Sequence, residues 1–197
     1  MPEMELQKYF NQGQFRQAVD FMLRNYNPSV ERTVNYDMGL DISNYWLKNL
    51  KKIDLSDNPI EIWDHFLTYY NQRYGENPDP ILFSISDFVM YKIYGRYASW
   101  CISPEDKSSF KKKLGMARSL LWMNKVNQLL SYLKSLTKNY PLKSEAWGLL
   151  GKAYSLVSDD KKSLLCFRES FFINPSVLNL MDIKSPLIEQ ILNFYKI

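Results

Sequence analysis

The 197-residue chain is 46% hydrophobic, 15% aromatic and 23% charged, with only seven glycines, a globular composition that excludes collagen-like and disordered chains. Its formal net charge of +4 is unevenly spread: residues 1–102 hold 10 basic and 13 acidic side chains (−3), and residues 103–197 hold 15 and 8 (+7). No apolar run is long enough to cross a bilayer, and the two cysteines, Cys101 and Cys166, have no CxxC partner, which argues against a disulfide framework or zinc site and for a reducing cytoplasm.

In chain order, apolar residues recur at three and four with no sustained alternation, the helical period. "MPEMELQKYFNQ" carries acids where a secretory leader would need positive charge, so none is expected. "LQKYFNQ" and "FRQAVDFMLRNY" read as two short amphipathic helices joined at Gly13. The stretch to Ile53 continues helically, with Gly39 as a possible break. "SDNPIEIWDHFLTYYNQRYG" starts with Asp57 or Asn58 as cap ahead of Pro59 and stops at Gly75. "ENPDP" at Glu76–Pro80 is a loop, and the following "ILFSISDFVMYKIYGRYASW" is apolar on most faces, which predicts burial between neighbours. Next comes a helix capped by Ser103 with Pro104 behind it. "KVNQLLSYLKSLTKNY", the segment from Glu145 to Pro175, and "SPLIEQILNFYKI" capped by Ser185 complete eight to ten helices. The fold class expected is all-α.

Short helices with tight connections call for a search for repeats. Trp147, Leu150, Gly151 and Tyr154 share one helical face. Ser163, Phe167 and Ser170 share a face of the next helix, and Pro175 ends it. Small residues opposite bulky ones let two antiparallel helices interlock. The pattern W-x2-L-G-x2-Y, then small, aromatic, small and Pro, resembles the tetratricopeptide repeat over Ser144–Val177. Ser163 and Ser170 stand where that family usually has Ala, which keeps the small size. One family period earlier, about 34 residues, Pro175 maps to Pro141, Gly151 to Ala117, Phe167 to Leu133, and Ser163 to the larger Leu129. Phe110–Lys143 is thus a degenerate repeat in register. Gly13, Phe15, Ala18 and Pro28 suggest a partial repeat, and "YKIYGRYA" (Tyr91–Ala98) echoes a first helix without a matching second. Trp46, Trp63 and the neighbouring tyrosines read as core.

The resemblance implies antiparallel helix pairs stacked as a right-handed superhelix (an α-solenoid) with a C-terminal capping helix. Residues 1–102 would be a diverged helical-repeat or helical module and 103–197 the repeats plus cap, in one continuous array. It also implies a non-enzymatic module (adaptor, scaffold, assembly factor or chaperone) that holds a partner peptide or helix in a concave groove lined by the first helix of each pair. Groove candidates off the packing face are Lys111, Leu114, Arg118, Leu121 and Trp122 on one helix, and Glu145, Gly148, Lys152 and Ser155 on the next. Arg118 and Lys152 are one period apart, so they make equivalent sites, and a partner with an acidic segment and one apolar anchor fits them. Family members that clamp the carboxylate of heat-shock tails use an Asn where this chain has Arg118 and Lys152, so that specialisation is not implied.

Catalysis has little to stand on. His65 is the single histidine, and no phosphate loop, GxSxG or HExxH occurs. Asp159–Asp160 sit at a turn and serve to cap a helix. No cofactor or metal is expected. The basic half with Trp122, Tyr132 and Tyr140 admits RNA or single-stranded nucleic acid as the alternative partner. The last helix, with Leu187, Ile188, Ile191, Leu192 and Tyr195, either caps the array or mediates self-association.

Overall fold

The computed structural model describes residues 2–25, 36–75, 79–101 and 109–177. Among these residues the chain forms nine α-helices and no strand, in keeping with its apolar spacing. It divides into two compact units, Met1–Ser108 and Ser109–Ile197.

In the first unit α1 (Pro2–Asn11) and α2 (Phe15–Asn25) form a helical hairpin. Its turn is Gly13, at φ +66°, a left-handed conformation that costs glycine little. A Cβ there would also fall 2.1 Å from the Phe88 ring, so the position is closed on two grounds. Phe15 and Ala18 are buried, while Pro28 lies outside the described residues. Helix α3 (Tyr36–Leu55) runs unbroken through Gly39, which its sequence marks as a possible break. That glycine serves packing: a Cβ would come within 2.7 Å of Met22 Sδ on α2, so close approach outweighs its poor helix propensity, about 1 kcal/mol.

Helix α4 (Ile60–Tyr74) ends at Gly75, at φ +82°, as its sequence predicts. Its start departs from expectation. Pro59, and not Asp57 or Asn58, holds the cap position, and it has no side-chain cap bond to offer. The Tyr97 hydroxyl of α5 (Pro80–Cys101) instead accepts the Ile60 N–H at 3.2 Å and donates to Asn58 Oδ1 at 2.7 Å. The orphan donor is satisfied from another helix, which a local pattern does not reveal. Of the "ENPDP" loop, residues 76–78 lie outside the described set; Asp79 Oδ1 accepts the Ile81 N–H at 2.8 Å and so supports the start of α5. Helix α5 is less enclosed than its composition predicts. Ile85, Val89, Ile93 and Tyr97 are fully buried, whereas Phe83 and Tyr91 remain 60% and 69% exposed.

The centre of this unit is aromatic. Trp46 on α3 and Trp63 on α4 are both fully buried and stack at 6.1 Å and 20°, with Phe66 4.9 Å and 5.2 Å from them. At its edge Asp41 Oδ2 accepts hydrogen bonds from the Tyr69 and Tyr74 hydroxyls at 2.5 and 2.7 Å and pairs with Arg73 Nε at 3.3 Å. Burial alone would raise the Asp41 pKa, but the two phenols and Arg73 outweigh it and hold the carboxyl below its ordinary value. A depressed folded value means that this stabilisation is present above the unfolded carboxyl pKa and is lost as pH falls through the folded one. Wild type is therefore expected to lose on the order of 1–2 kcal/mol on acidification below about pH 4 through this site. Asp41→Asn should already lack that increment at neutral pH and give a flatter acid limb in urea titrations. An equally steep limb in the variant rules the site out as its source. The Tyr69 hydroxyl is pushed up to about 12, first by burial and then by its bond to Asp41; that contribution is present below the ordinary tyrosine pKa and lost as pH rises through about 12.

The second unit is a repeat in its backbone. Its helices are α6 (Phe110–Trp122), α7 (Val126–Asn139), α8 (Ser144–Leu156) and α9 (Asp160–Ile173). Phe110 and Ser144, Trp122 and Leu156, Val126 and Asp160, and Asn139 and Ile173 are each 34 residues apart. The turns recur likewise: Asn124 and Ser158 have φ of 53° and 57°, and the next residue's N–H reaches back to Leu120 O at 3.0 Å and Tyr154 O at 3.1 Å. The degenerate repeat is in register with its better-marked neighbour. Ser109 caps α6 by accepting the Lys112 N–H; the expected cap at Ser103 lies outside the described residues. Asp159 Oδ1 accepts the Lys162 N–H at 3.2 Å and caps α9 as anticipated. The final helix from Ser185 lies outside the described residues.

Candidate functional site

The site rests on the way α8 and α9 close on each other. A Cβ on Gly151 would lie 2.7 Å from the Phe167 ring, so that glycine is what admits the ring. Ser163 and Ser170 do more than keep a small volume. The Ser163 hydroxyl donates to Gly151 O at 2.9 Å, and the Ser170 hydroxyl donates to Ser144 O at 2.8 Å. Both are buried, so α9 is fastened to the α8 backbone at two points about two turns apart. Alanine would pack here but could not make these bonds. Size was legible in the sequence; the cross-helix acceptors were not. Pro175 follows the Asn174 cap, and α9 ends before it as expected.

In α6 and α7 the corresponding positions are Ala117, Leu129 and Leu136, all buried. Without the small set, these two helices pack less closely than α8 and α9. Tyr132 crosses the gap instead, its hydroxyl donating to Lys113 O at 3.2 Å.

The groove candidates fall on α6 and α8, which pack against each other. On α6, Lys111 and Trp122 are exposed, and Leu114, Arg118 and Leu121 are half-buried on the same face. On α8, Lys152 and Glu145 are half-buried and Ser155 is exposed. Two readings change. Gly148, offered as a contact position, is buried, and the Ser155 hydroxyl turns back to Lys152 O at 3.0 Å within its own helix.

A second concavity lies on the other side of α8 and was not anticipated. It measures about 270 Å³ and opens between α7 and α9. Its floor is Trp147, Leu150 and Tyr154, with Thr137 and Leu165 as walls. At about 100° per residue, Lys152 points nearly away from this floor. Two polar groups of the lining are occupied elsewhere: the Trp147 indole N–H donates to Pro141 O at 2.9 Å, and the Thr137 hydroxyl donates to Leu133 O at 2.9 Å. Burial, then Glu169 and Asp159, push the Cys166 thiol up to about 11, so it stays neutral. Charge appears only at the lip. Lys134 Nζ and Lys162 Nζ lie 5.8 and 5.4 Å from the Tyr154 ring centre, and Lys162 also pairs with Asp159 at 2.6 Å.

His65 is exposed on α4. Among the described residues no group of three or more His, Cys, Asp or Glu is placed to hold a metal ion, and no helix is long and apolar enough to cross a membrane. No family model and no curated protein matches the chain. A solved structure, "MamA MSR-1 C2", aligns over 89% of this chain and 96% of its own at 11% identity, with a TM-score of 0.40. A likeness of that degree identifies neither a fold family nor a function.

Proposed function

We propose that the protein is a non-enzymatic, cytoplasmic protein-interaction module of tetratricopeptide type, an adaptor, assembly factor or chaperone. In it the helix pairs continue as a right-handed superhelix, and α6 and α8 form the floor of its groove. The observation that carries this reading is the recurrence of every helix boundary and turn of residues 110–173 at one period. Stacked pairs of this kind leave their first helices side by side, as α6 and α8 are. The step from that fold to protein binding is by analogy with helical repeats in general. Arg118 and Lys152 hold equivalent positions on the two helices, with Lys111 and Trp122 flanking them, so an acidic partner segment is the ligand favoured.

Residues 109–177 carry 12 basic and 4 acidic side chains, a net of +8, which keeps single-stranded nucleic acid as the second reading. Affinity capture from native extract, comparing wild type with Arg118→Glu/Lys152→Glu, separates the two. The expected result is one protein held by wild type and lost by the variant, with unchanged circular dichroism. Capture of the same protein by both moves the site off the α6–α8 face. Recovery of nucleic acid alone, released steeply by salt, replaces the protein-binding reading.

A further inference from the structure

The concavity between α7 and α9 has a divided chemistry. Trp147, Leu150 and Tyr154 form its floor; the Trp147 N–H and Thr137 hydroxyl are spent on backbone carbonyls, and the Tyr154 hydroxyl is the polar group the floor itself carries. A volume of about 270 Å³ is below the range of roughly 300–1,000 Å³ that encloses a drug-sized ligand. It suits one large apolar side chain. The lip carries two ammonium groups over the Tyr154 ring. Lys138 stands one turn beyond Lys134 on the exposed face of α7, and α7 holds no acidic residue.

The two flanking helices are both second helices of their pairs, so they run in the same direction with α8 between them. Leu165 on the α9 side of the groove is 42% exposed, and Phe172, two turns further along α9 and outside the pocket lining, is 73% exposed. The α9 wall thus mixes apolar groups with Lys162 and the Arg168–Glu169 pair, while the α7 wall offers Lys134 and Lys138 with no acid. An apolar floor between these cations is the complement of a segment that carries one apolar residue among carboxylates.

We propose that the α7–α9 groove is a second docking site, which takes an acidic segment of a partner protein with one large apolar side chain seated on Trp147 and Tyr154. The carboxylates of that segment lie against Lys134 and Lys138, and Lys162 shares its ammonium between Asp159 and the incoming acid. Apolar burial supplies most of the affinity, and the lysines fix the direction and exclude basic partners. This site does not depend on the α6–α8 groove, since it occupies the opposite face of α8.

The test uses the full-length chain, isotopically labelled, titrated by NMR with a short synthetic peptide carrying one Trp among Glu and Asp. A second peptide replaces each acid by Lys, and a third replaces the Trp by Ala. The expected result is saturable shifts at the Trp147 indole N–H and in residues 134–138 and 162–172 with the acidic Trp peptide alone. Lys134→Glu should weaken that binding about tenfold with an unchanged amide spectrum elsewhere, and Leu165→Asp should abolish the shifts. Arg118→Glu/Lys152→Glu should leave them as in wild type, which separates this site from the other groove. Shifts centred on α6, equal binding of the Lys peptide, or no saturable shift at millimolar peptide each overturn the proposal.

Discussion

Trp46→Ala is expected to lower the free energy of unfolding by about 3–5 kcal/mol, the range for truncating a large core aromatic. Trp46 is fully buried, stacked on Trp63 and in contact with Phe66 and Tyr45, so no solvent-facing space exists for the cavity to collapse into. Against a total stability of roughly 5–15 kcal/mol for a domain, the loss brings the first unit close to unfolding. The readout is the urea midpoint at unchanged slope. Trp46→Phe sharpens the test. The indole N–H is buried with no hydrogen-bond partner among the described residues, a state that costs about 1–3 kcal/mol. Phenylalanine removes that donor and keeps most of the contact, so its cost should be well under half that of alanine. Equal losses would mean that the indole shape, not apolar volume, holds the centre together.

The second large effect concerns two glycines that look alike in the sequence. Gly151 in "LLGKAY" and Gly95 in "KIYGRYA" both sit mid-helix among aromatic residues. Replacing a mid-helix glycine by alanine gains up to about 1 kcal/mol in backbone entropy. Gly95 has nothing within 4 Å of where a Cβ would stand, so Gly95→Ala should be stabilising. At Gly151 the new methyl would meet the Phe167 ring at 2.7 Å, and Phe167 is itself only 5% exposed. Overpacking of this kind costs about 1–3 kcal/mol, so Gly151→Ala should destabilise despite the same propensity gain. Phe167→Leu in the same chain should return part of the loss, as contacting residues couple. Two changes of the same sign would sink the assignment of Gly151 as the point of closest approach.

These glycines also show why the packing was more legible in the sequence of one half than of the other. Residues 144–175 carry a repeat whose packing is local in register, since Gly151, Ser163, Phe167 and Ser170 meet their partners within one helical hairpin. In residues 2–101 the contacts that decide matters lie far apart along the chain. Tyr97 takes the first amide of α4 from 37 residues away, Gly39 is needed by Met22, and Gly13 by Phe88. No spacing rule encodes such pairs. The possible break at Gly39, the cap position expected at Asp57 or Asn58 and the expected enclosure of α5 each turned out otherwise for that reason.

The sequence by itself determined the helical class, the two helical hairpins of the second unit and their common period, because apolar period, turn residues and small–large alternation act over a few residues. It also marked the burial of Trp46 and Trp63. The tertiary structure alone decided which face of each helix stays open. Gly148 is closed, whereas Trp147 stays half-buried on the floor of the α7–α9 concavity, beside the buried Leu150 and Tyr154. It decided as well that Ser163 and Ser170 are fasteners and not merely small residues. Burial of a face depends on what packs against it, and a hydroxyl's worth depends on whether a carbonyl stands within reach, so both are properties of the assembled helices.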